Sequence, residues 1–349
     1  MRIGPLPKRT IPERLFQSGV GRSRTSGAIA PTGNSNQSER VTLSGRNGTF
    51  APLKSLSGEN LLRHTNRLGL DAANAAGLPA SVARYFTPAE FYLLNSGDYH
   101  NAQHPINVAA TVGEMAAKSG RSPERVQFLS QVALLHDADE RIVLDGSGNF
   151  STLQGAKPAR VPVTLAFMDV NKESLTDRFG WSTDEFAEAK ALIAATEHPL
   201  NDNAPGPGRI YGLEAYDGKN SQTVFKESLR QVASERRAAL VEDAQLLRFA
   251  DQSANYLQGL DPARATVSGL SAEIGVPAEA LAKGTPSFLD GLGLDSEKFQ
   301  DHPQAVFQGV RHDFSLQDTS TSYTADELLG FLSEEQRQNL NSVKQGLSS

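Results

Sequence analysis

From about residue 58 onwards, apolar residues recur at three- and four-residue spacings, and almost no segment alternates apolar with polar residues over strand length. Residues 126–137 show the pattern clearly, because Val126, Leu129 and Val132 form one apolar face that ends in His136. A chain with this periodicity is expected to form helices that bury one face each. The sequence therefore predicts an all-α domain.

Two helix starts are marked by capping boxes, in which Ser or Thr is followed three residues later by Glu. Ser182 and Glu185 begin a helix that is expected to end at His198, before a proline. Thr324 and Glu327 begin a C-terminal helix that is expected to reach residue 345.

A further helix is predicted over about 235–257, and its buried face contains one carboxylate. Leu240 and Leu247 lie on the same stripe as Asp251. A buried ionised carboxylate is costly unless it is paired or binds a metal. The helix is preceded by a segment at 201–208 (NDNAPGPG) whose Gly, Pro and Asn content predicts a loop.

The N-terminal segment differs in composition from the rest. Residues 1–50 contain eight Lys or Arg against two Glu, with many Ser, Gly and Thr, so we expect a disordered leader over 1–57. Its composition fits an organelle transit peptide, and it also resembles the export signals of bacterial type III effectors. The predicted organisation is this leader, a helical domain at 58–315 that carries the candidate functional residues, and a helical tail at 316–349.

Charge and cysteine content restrict the function classes. The net charge of −6 and a pI near 5.7 disfavour general binding to nucleic acid or an anionic membrane, while a small phosphorylated substrate stays compatible. Without cysteine, a metal site must use His, Asp, Glu or water. No apolar stretch is long enough to span a bilayer, so we expect a soluble protein, cytoplasmic or exported into a host cell.

Histidines cluster around the sequence YHNAQHP at 99–105. Proline is tolerated in the first turn of a helix, so Pro105 predicts a helix start near His104 and leaves His100 in the preceding loop. The two histidines then point independently, which suits two different roles rather than one shared ligand face.

The pair His136-Asp137 follows about thirty residues later, at the end of an apolar helix. With His104 and Asp251 it supplies two imidazoles and two carboxylates, a set suited to Zn, Mn or Fe, with Mg at a water-rich neighbouring position. Each residue alone has a structural explanation, such as a salt bridge or a cap, but their combined order favours a metal site. His198 is equally explained by an interaction with a helix dipole.

YHNAQH followed by LLHDADE is similar to the signatures of class I cyclic nucleotide phosphodiesterases, within the HD superfamily. IAATEH at 193–198 and FADQSAN at 249–255 resemble two further segments of that family. The resemblance implies an HD-type helical bundle in which His100 is the proton donor. It also implies that His104, His136, Asp137 and Asp251 are metal ligands and that Asp137 bridges two divalent ions.

The chain departs from the family at Glu140, where the family has His, and by an extra residue between Ser253 and Asn255. Gln304 and Phe307 stand at the distance of the family's purine pocket, and Tyr99 and His198 are further candidates for substrate binding.

The implied activity is hydrolysis of a phosphodiester, with cyclic nucleotides among the candidates, by a hydroxide that bridges two metals while His100 protonates the leaving oxygen. Two alternatives stay open, a phosphomonoesterase or nucleotidase and a degenerate HD fold that only binds a nucleotide or partner.

Overall fold

The computed structural model describes residues 78–87, 91, 94–95, 98–138, 142–144, 150–152, 160–197, 200, 219–291, 307, 310–316 and 323–348. The predicted leader at 1–57 and loop at 201–208 lie outside the described residues. Helices dominate the part that is described, which confirms the prediction of an all-α fold.

The described elements follow one another along the chain with short connections where both flanks are described. They are α1 (Ala80–Ala83), α2 (Gln103–Lys118), α3 (Pro123–Ala133), β1 (Ile142–Leu144), β2 (Phe150–Thr152), α4 (Arg160–Val170), α5 (Lys172–Phe179), α6 (Thr183–Ala194), α7 (Ser221–Arg230), α8 (Arg237–Ser253), α9 (Leu260–Ile274), α10 (Ala278–Gly291), α11 (Ala325–Gly330) and α12 (Glu334–Ser348). Short 3-10 turns at Ser234–Arg236 and Tyr256–Gln258 flank α8.

Helix α8 lies at the centre of the packing, against α2, α3 and α6. Its residues Leu240 and Leu247 are fully buried, as are Leu129 and Val132 of α3, so the apolar faces predicted from the three- and four-residue spacing do meet. Helices α9, α10 and α12 pack against one another. Leu340 and Val343 of α12 belong to the same buried core.

The predicted capping boxes are both present. Ser182 Oγ accepts the Glu185 backbone N–H at 3.1 Å, and Glu185 Oε2 accepts the Ser182 N–H at 2.7 Å. Thr324 and Glu327 make the equivalent pair of bonds. Helix α6 ends at Ala194, before the predicted end at His198, and His198 itself lies outside the described residues.

The prediction of one C-terminal helix is wrong, because two helices, α11 and α12, occupy that segment. Ser333 separates them. Its hydroxyl accepts the Gln336 N–H at 3.1 Å, while Gln336 Oε1 accepts the Ser333 N–H at 2.7 Å. This second capping box starts a new helix and so ends the first.

The helix predicted over 126–137 is also shorter than expected. Helix α3 ends at Ala133, and His136 and Asp137 lie in the turns of residues 134–138 that follow it. Within these turns the Ala138 N–H bonds to the Leu135 carbonyl at 2.9 Å. The tight turns allow two adjacent side chains to face the same point, which an α-helix does not.

A short antiparallel hairpin pairs β1 with β2, with Ile142 opposite Thr152 and Leu144 opposite Phe150. Periodicity does not predict it, because strands of three residues are too short to show an alternation. The intervening sequence does contain Asp145-Gly146, a turn-forming pair. None of the described helices combines the length and apolarity that crossing a bilayer requires.

Buried ion pairs join the central helices on a face formed by α3, α6 and α8. Arg121 Nε lies 2.7 Å from Asp243 Oδ1, and Arg125 lies 2.6 Å from Asp243 Oδ2 and 2.5 Å from Glu188 Oε2. The side chains of Asp243 and Glu188 are each only 1% exposed. This network fixes α3 against α6 and α8 and therefore holds the turn that carries His136.

Candidate metal centre

The four residues predicted to hold a metal converge in the structure. One ligand atom from each of His104, His136, Asp137 and Asp251 lies within 4.8 Å of the others. Nε2 of His104 is 3.3 Å from Nε2 of His136, and both are 3.1 Å from Asp251 Oδ1. Asp137 Oδ2 lies 3.1 Å from His104 Nε2 and 2.9 Å from His136 Nε2.

His104 is placed by the start of α2, as Pro105 predicts. Asn101 prepares this start, because its Oδ1 accepts the Gln103 N–H at 3.0 Å and its Nδ2 donates to the Asp98 carbonyl at 3.0 Å. The loop before α2 is thereby tied to its first turn, and the buried ring of His104 faces the cluster.

His136 is oriented by a backbone bond. Its Nδ1 lies 2.6 Å from the Ala133 carbonyl oxygen. A carbonyl only accepts, so Nδ1 carries a proton and the neutral ring presents its Nε2 lone pair to the cluster. The turn is anchored to α4, because the Thr164 hydroxyl donates to the Ala138 carbonyl at 3.0 Å.

Asp251 lies near the C-terminal end of α8 and forms the accessible side of the cluster. Its side chain is 15% exposed, while those of the two histidines are 0% exposed and that of Asp137 is 6% exposed. Asp251 is therefore the most solvent-accessible of the four residues.

The electrostatics of the cluster are those of two carboxylates facing two imidazoles. Burial lowers the pKa of His104 and His136, but Asp137 and Asp251 outweigh it, so both pKa values lie above the ordinary 6.5. Burial likewise raises the pKa of Asp137 and Asp251, but His136 outweighs it, so both values lie below the ordinary 3.8. Without a cation, protons on the imidazoles balance the carboxylates.

These residues fit a divalent metal. Within the described part of the chain, Asp137 Oδ2 is buried and has no hydrogen-bond partner, although two ring nitrogens lie close to it. The His136 Nε2 lone pair faces two carboxylate oxygens, an arrangement that requires a proton or a cation between them. Two nitrogen and two oxygen ligands suit Zn, Mn or Fe.

His100 lies beside the cluster and outside it, in the bend before α2. Its Nδ1 is 2.6 Å from Glu273 Oε2, and both side chains are buried, with exposed fractions of 6% and 7%. The nearby imidazole of His100 is one of the groups that lower the pKa of Asp137. The ring of Tyr99 lies 4.5 Å from the His100 ring and 4.9 Å from the His104 ring.

Glu273 was not predicted from the sequence. It belongs to α9, and its Oε1 accepts the backbone N–H of Tyr99 at 2.8 Å and of His100 at 3.1 Å. One turn earlier, a Cβ on Gly269 would lie 2.5 Å from the Asp98 carbonyl oxygen. The lack of a side chain at Gly269 thus lets α9 approach residues 98–100 closely enough for Glu273 to bind them.

Of the four residues predicted to bind substrate, the structure describes Tyr99 and Phe307. Tyr99 lies next to the two histidine rings, as described above. Phe307 is buried with its ring 6.0 Å from that of Phe225 on α7. Gln304 and His198 lie outside the described residues, as does Glu140, so the purine pocket and the departure at Glu140 stay predictions.

Comparison of the chain with protein-family models, with curated proteins and with solved structures finds no match. The chemistry of this site is therefore inferred from its residues and their geometry.

Proposed function

We propose that the chain is a metal-dependent phosphohydrolase that cleaves a phosphodiester. The observation that supports this most strongly is the pairing of two adjacent units, a buried two-His, two-Asp cluster and a His100–Glu273 pair beside it. A cluster alone would suit a structural metal. An oriented imidazole whose ring lies 5.9 Å from that of His104 suits a group that exchanges protons with a substrate.

His104, His136, Asp137 and Asp251 would hold the metal. A divalent ion at this position supplies Lewis-acid chemistry, lowering the pKa of water and neutralising charge on phosphoryl oxygens. Among the described residues, one set of four candidate ligands converges, so a second ion, which Asp137 would also help to hold, belongs to the proposal.

The chain's own residues supply the rest of the reaction. Glu273 accepts a hydrogen bond from His100 Nδ1–H and so stabilises the charged imidazolium, which leaves Nε2 as the nitrogen that delivers a proton to the leaving oxygen. The buried His104 and His136 limit access of bulk water. Asp251 is the most accessible of the four residues, so the scissile phosphodiester would approach the cluster beside it.

The direct test is a screen of the purified full-length protein with Mn²⁺ or Mg²⁺ against cyclic nucleotides, bis-p-nitrophenyl phosphate and p-nitrophenyl phosphate. We expect turnover of diesters that EDTA abolishes and Mn²⁺ restores. Turnover of the monoester alone would assign the chain to the phosphomonoesterases, and metal binding without any turnover would indicate a binding module.

Asp137→Asn tests the metal centre itself, and His312→Ala is the matched surface control because His312 is 92% exposed. We expect Asp137→Asn to remain folded by circular dichroism but to lose both metal and turnover, with the control unaffected. An active Asp137→Asn protein would contradict the proposal.

A further inference from the structure

Side-chain amides connect the inner ring of His104 to the protein surface. Asn255 Nδ2 lies 3.2 Å from His104 Nδ1, Asn107 Nδ2 lies 2.9 Å from Asn255 Oδ1, and Gln103 Nε2 lies 2.8 Å from Asn107 Oδ1. Asn107 and Asn255 are half-buried, whereas Gln103 is exposed. The chain of bonds therefore runs from solvent to the ring atom that faces away from the metal cluster.

Such a chain has a direction. An amide donates through its nitrogen and accepts through its oxygen, so the role of one amide fixes the role of the next. When Asn255 Nδ2 donates, His104 Nδ1 accepts, and the proton of the neutral ring sits on Nε2, facing Asp137 and Asp251. A proton there blocks the lone pair that a metal needs.

The opposite direction is reached by turning all three amides through 180°, which exchanges oxygen and nitrogen with almost no change in shape. His104 Nδ1–H then donates to Asn255 Oδ1, and Nε2 presents its lone pair to the cluster. The number of hydrogen bonds is unchanged, and water can satisfy Gln103 at the exposed end in either direction.

His136 differs from His104 in this respect. Its Nδ1 faces the Ala133 carbonyl oxygen, which accepts in every state, so the Nε2 lone pair is always turned to the cluster. Of the two imidazoles, only His104 has a partner that can either donate or accept.

We propose that Asn255, held by Asn107 and Gln103, is a positioning residue whose side-chain oxygen accepts from His104 Nδ1–H and so stabilises the metal-binding tautomer of His104. This inference rests on the metal centre of the proposed function and extends it to a residue outside the ligand set. Metal binding is therefore coupled to the direction of the amide chain, because the metal and an Asn255 oxygen turned towards the ring both require the Nδ1–H form of His104.

The test is the affinity of the full-length protein for Zn²⁺, measured by competition with a chromophoric chelator. Asn255→Leu removes the acceptor and is expected to weaken Zn²⁺ binding by about 10-fold to 100-fold. Asn255→Asp can accept from both His104 Nδ1–H and Asn107 Nδ2, so it is expected to bind Zn²⁺ at least as tightly as the wild type.

Two further variants distinguish the effect of this amide chain, called the relay from here on, from the effects of packing and of charge. Asn107→Leu leaves Asn255 in place but removes the group that orients it, and it is expected to weaken Zn²⁺ binding by about 3-fold to 10-fold. Ala117→Asp adds a carboxylate to the exposed surface of α2, ten positions and so about 15 Å beyond Asn107 along the helix, so it reports the effect of added charge without touching the amide chain. We expect it to leave the affinity within about twofold of the wild type.

If the wild type binds Zn²⁺ and both leucine variants bind it with unchanged affinity, the relay is wrong and the metal centre is not contradicted. A wild type that binds no Zn²⁺ would overturn the metal centre and the relay with it. If Asn255→Leu fails to fold, weaker binding by Asn255→Asp together with unchanged binding by Asn107→Leu would overturn the relay.

Discussion

The carboxylate of Glu273 binds His100 across 173 positions of the chain, with Oε2 lying 2.6 Å from Nδ1 of the ring. Its second oxygen accepts the backbone N–H groups of Tyr99 and His100. One side chain thus fixes both the backbone and the ring of the proposed acid. These two roles can be separated by replacing only Oε2, the oxygen that faces His100.

Glu273→Gln retains an oxygen for the two backbone N–H groups, but it offers His100 Nδ1 an NH₂ group, which cannot accept a hydrogen bond from the ring. We expect kcat on a phosphodiester to fall by about 10-fold to 10²-fold, while KM and metal content stay unchanged. This loss is no larger than that expected for removing a general acid altogether, because His100 is still present. Steady-state kinetics and metal analysis measure this. Glu279→Gln, on the exposed face of α10, is the matched control, and loss of metal in Glu273→Gln would contradict the assignment.

Gly269→Ala tests the close approach of α9 to residues 98–100. The added Cβ would lie 2.5 Å from the Asp98 carbonyl oxygen, so the helix must move away and Glu273 with it. We expect a loss of about 1–3 kcal/mol in the free energy of unfolding, together with a lower kcat.

Gly284→Ala on α10 is the matched control, since nothing lies within 4 Å of a Cβ there. It should gain up to about 1 kcal/mol from helix propensity. Equal effects of the two substitutions in chemical denaturation would exclude a role for the contact at Gly269.

The metal ligands could be predicted from the sequence because each carries a local signal. Pro105 marks the helix start next to His104, and Asp251 interrupts an apolar stripe. The position of His136 and Asp137 was predicted only in part, because turns of residues 134–138 replace the last helical turn. Apolar periodicity does not distinguish a helix from the 3-10 turns that end it.

Glu273 could not be predicted, since the chain contains 40 acidic residues and nothing local distinguishes this one. Its role arises from a contact between α9 and a loop 173 positions away. The nearest signal is Gly269, one turn earlier on the same helix, because a glycine inside a helix is costly unless a close contact requires it. The break at Ser333 had a local signal, the spacing to Gln336, which matches a capping box.

Removing metal should make stability depend on pH in a defined direction. The pKa values of His104 and His136 are raised in the folded state above 6.5, so their stabilisation is complete below that pH and is lost as pH rises through the folded values. Asp137 and Asp251 have lowered pKa values, so their stabilisation is present above about pH 4 and is lost in acid.

The EDTA-treated protein is therefore expected to be most stable between about pH 4 and 6.5, and added Zn²⁺ or Mn²⁺ should raise Tm most above that range. Thermal denaturation with and without metal across this range provides the measurement. A metal-induced rise in Tm that is larger at pH 5 than at pH 8 would contradict the cluster as the binding site.

Asp243→Ala tests the buried ion pairs that hold α3 against α8. The substitution removes the carboxylate that Arg121 and Arg125 share, while Glu242 and Glu188 stay beside them, and we expect a loss of about 2–3 kcal/mol in the free energy of unfolding. Urea denaturation measures it. Glu227→Ala removes the more exposed ion pair with Lys219 and should cost less than about 1 kcal/mol. Similar losses in both variants would mean that the buried network adds no special stability.

His100→Ala tests the role of the proposed acid. Because His100 lies outside the metal cluster, the variant should keep metal content and KM close to the wild type. Its kcat on a diester with a poor leaving group, such as a cyclic nucleotide, should fall by about 10² to 10⁴. A p-nitrophenolate leaving group needs little protonation, so the loss on bis-p-nitrophenyl phosphate should be much smaller.

The matched control, His312→Ala, should be unaffected on both substrates, since the ring of His312 is 92% exposed. Loss of metal in His100→Ala, or equal impairment on both leaving groups, would show that His100 is a ligand or a structural residue and not the acid.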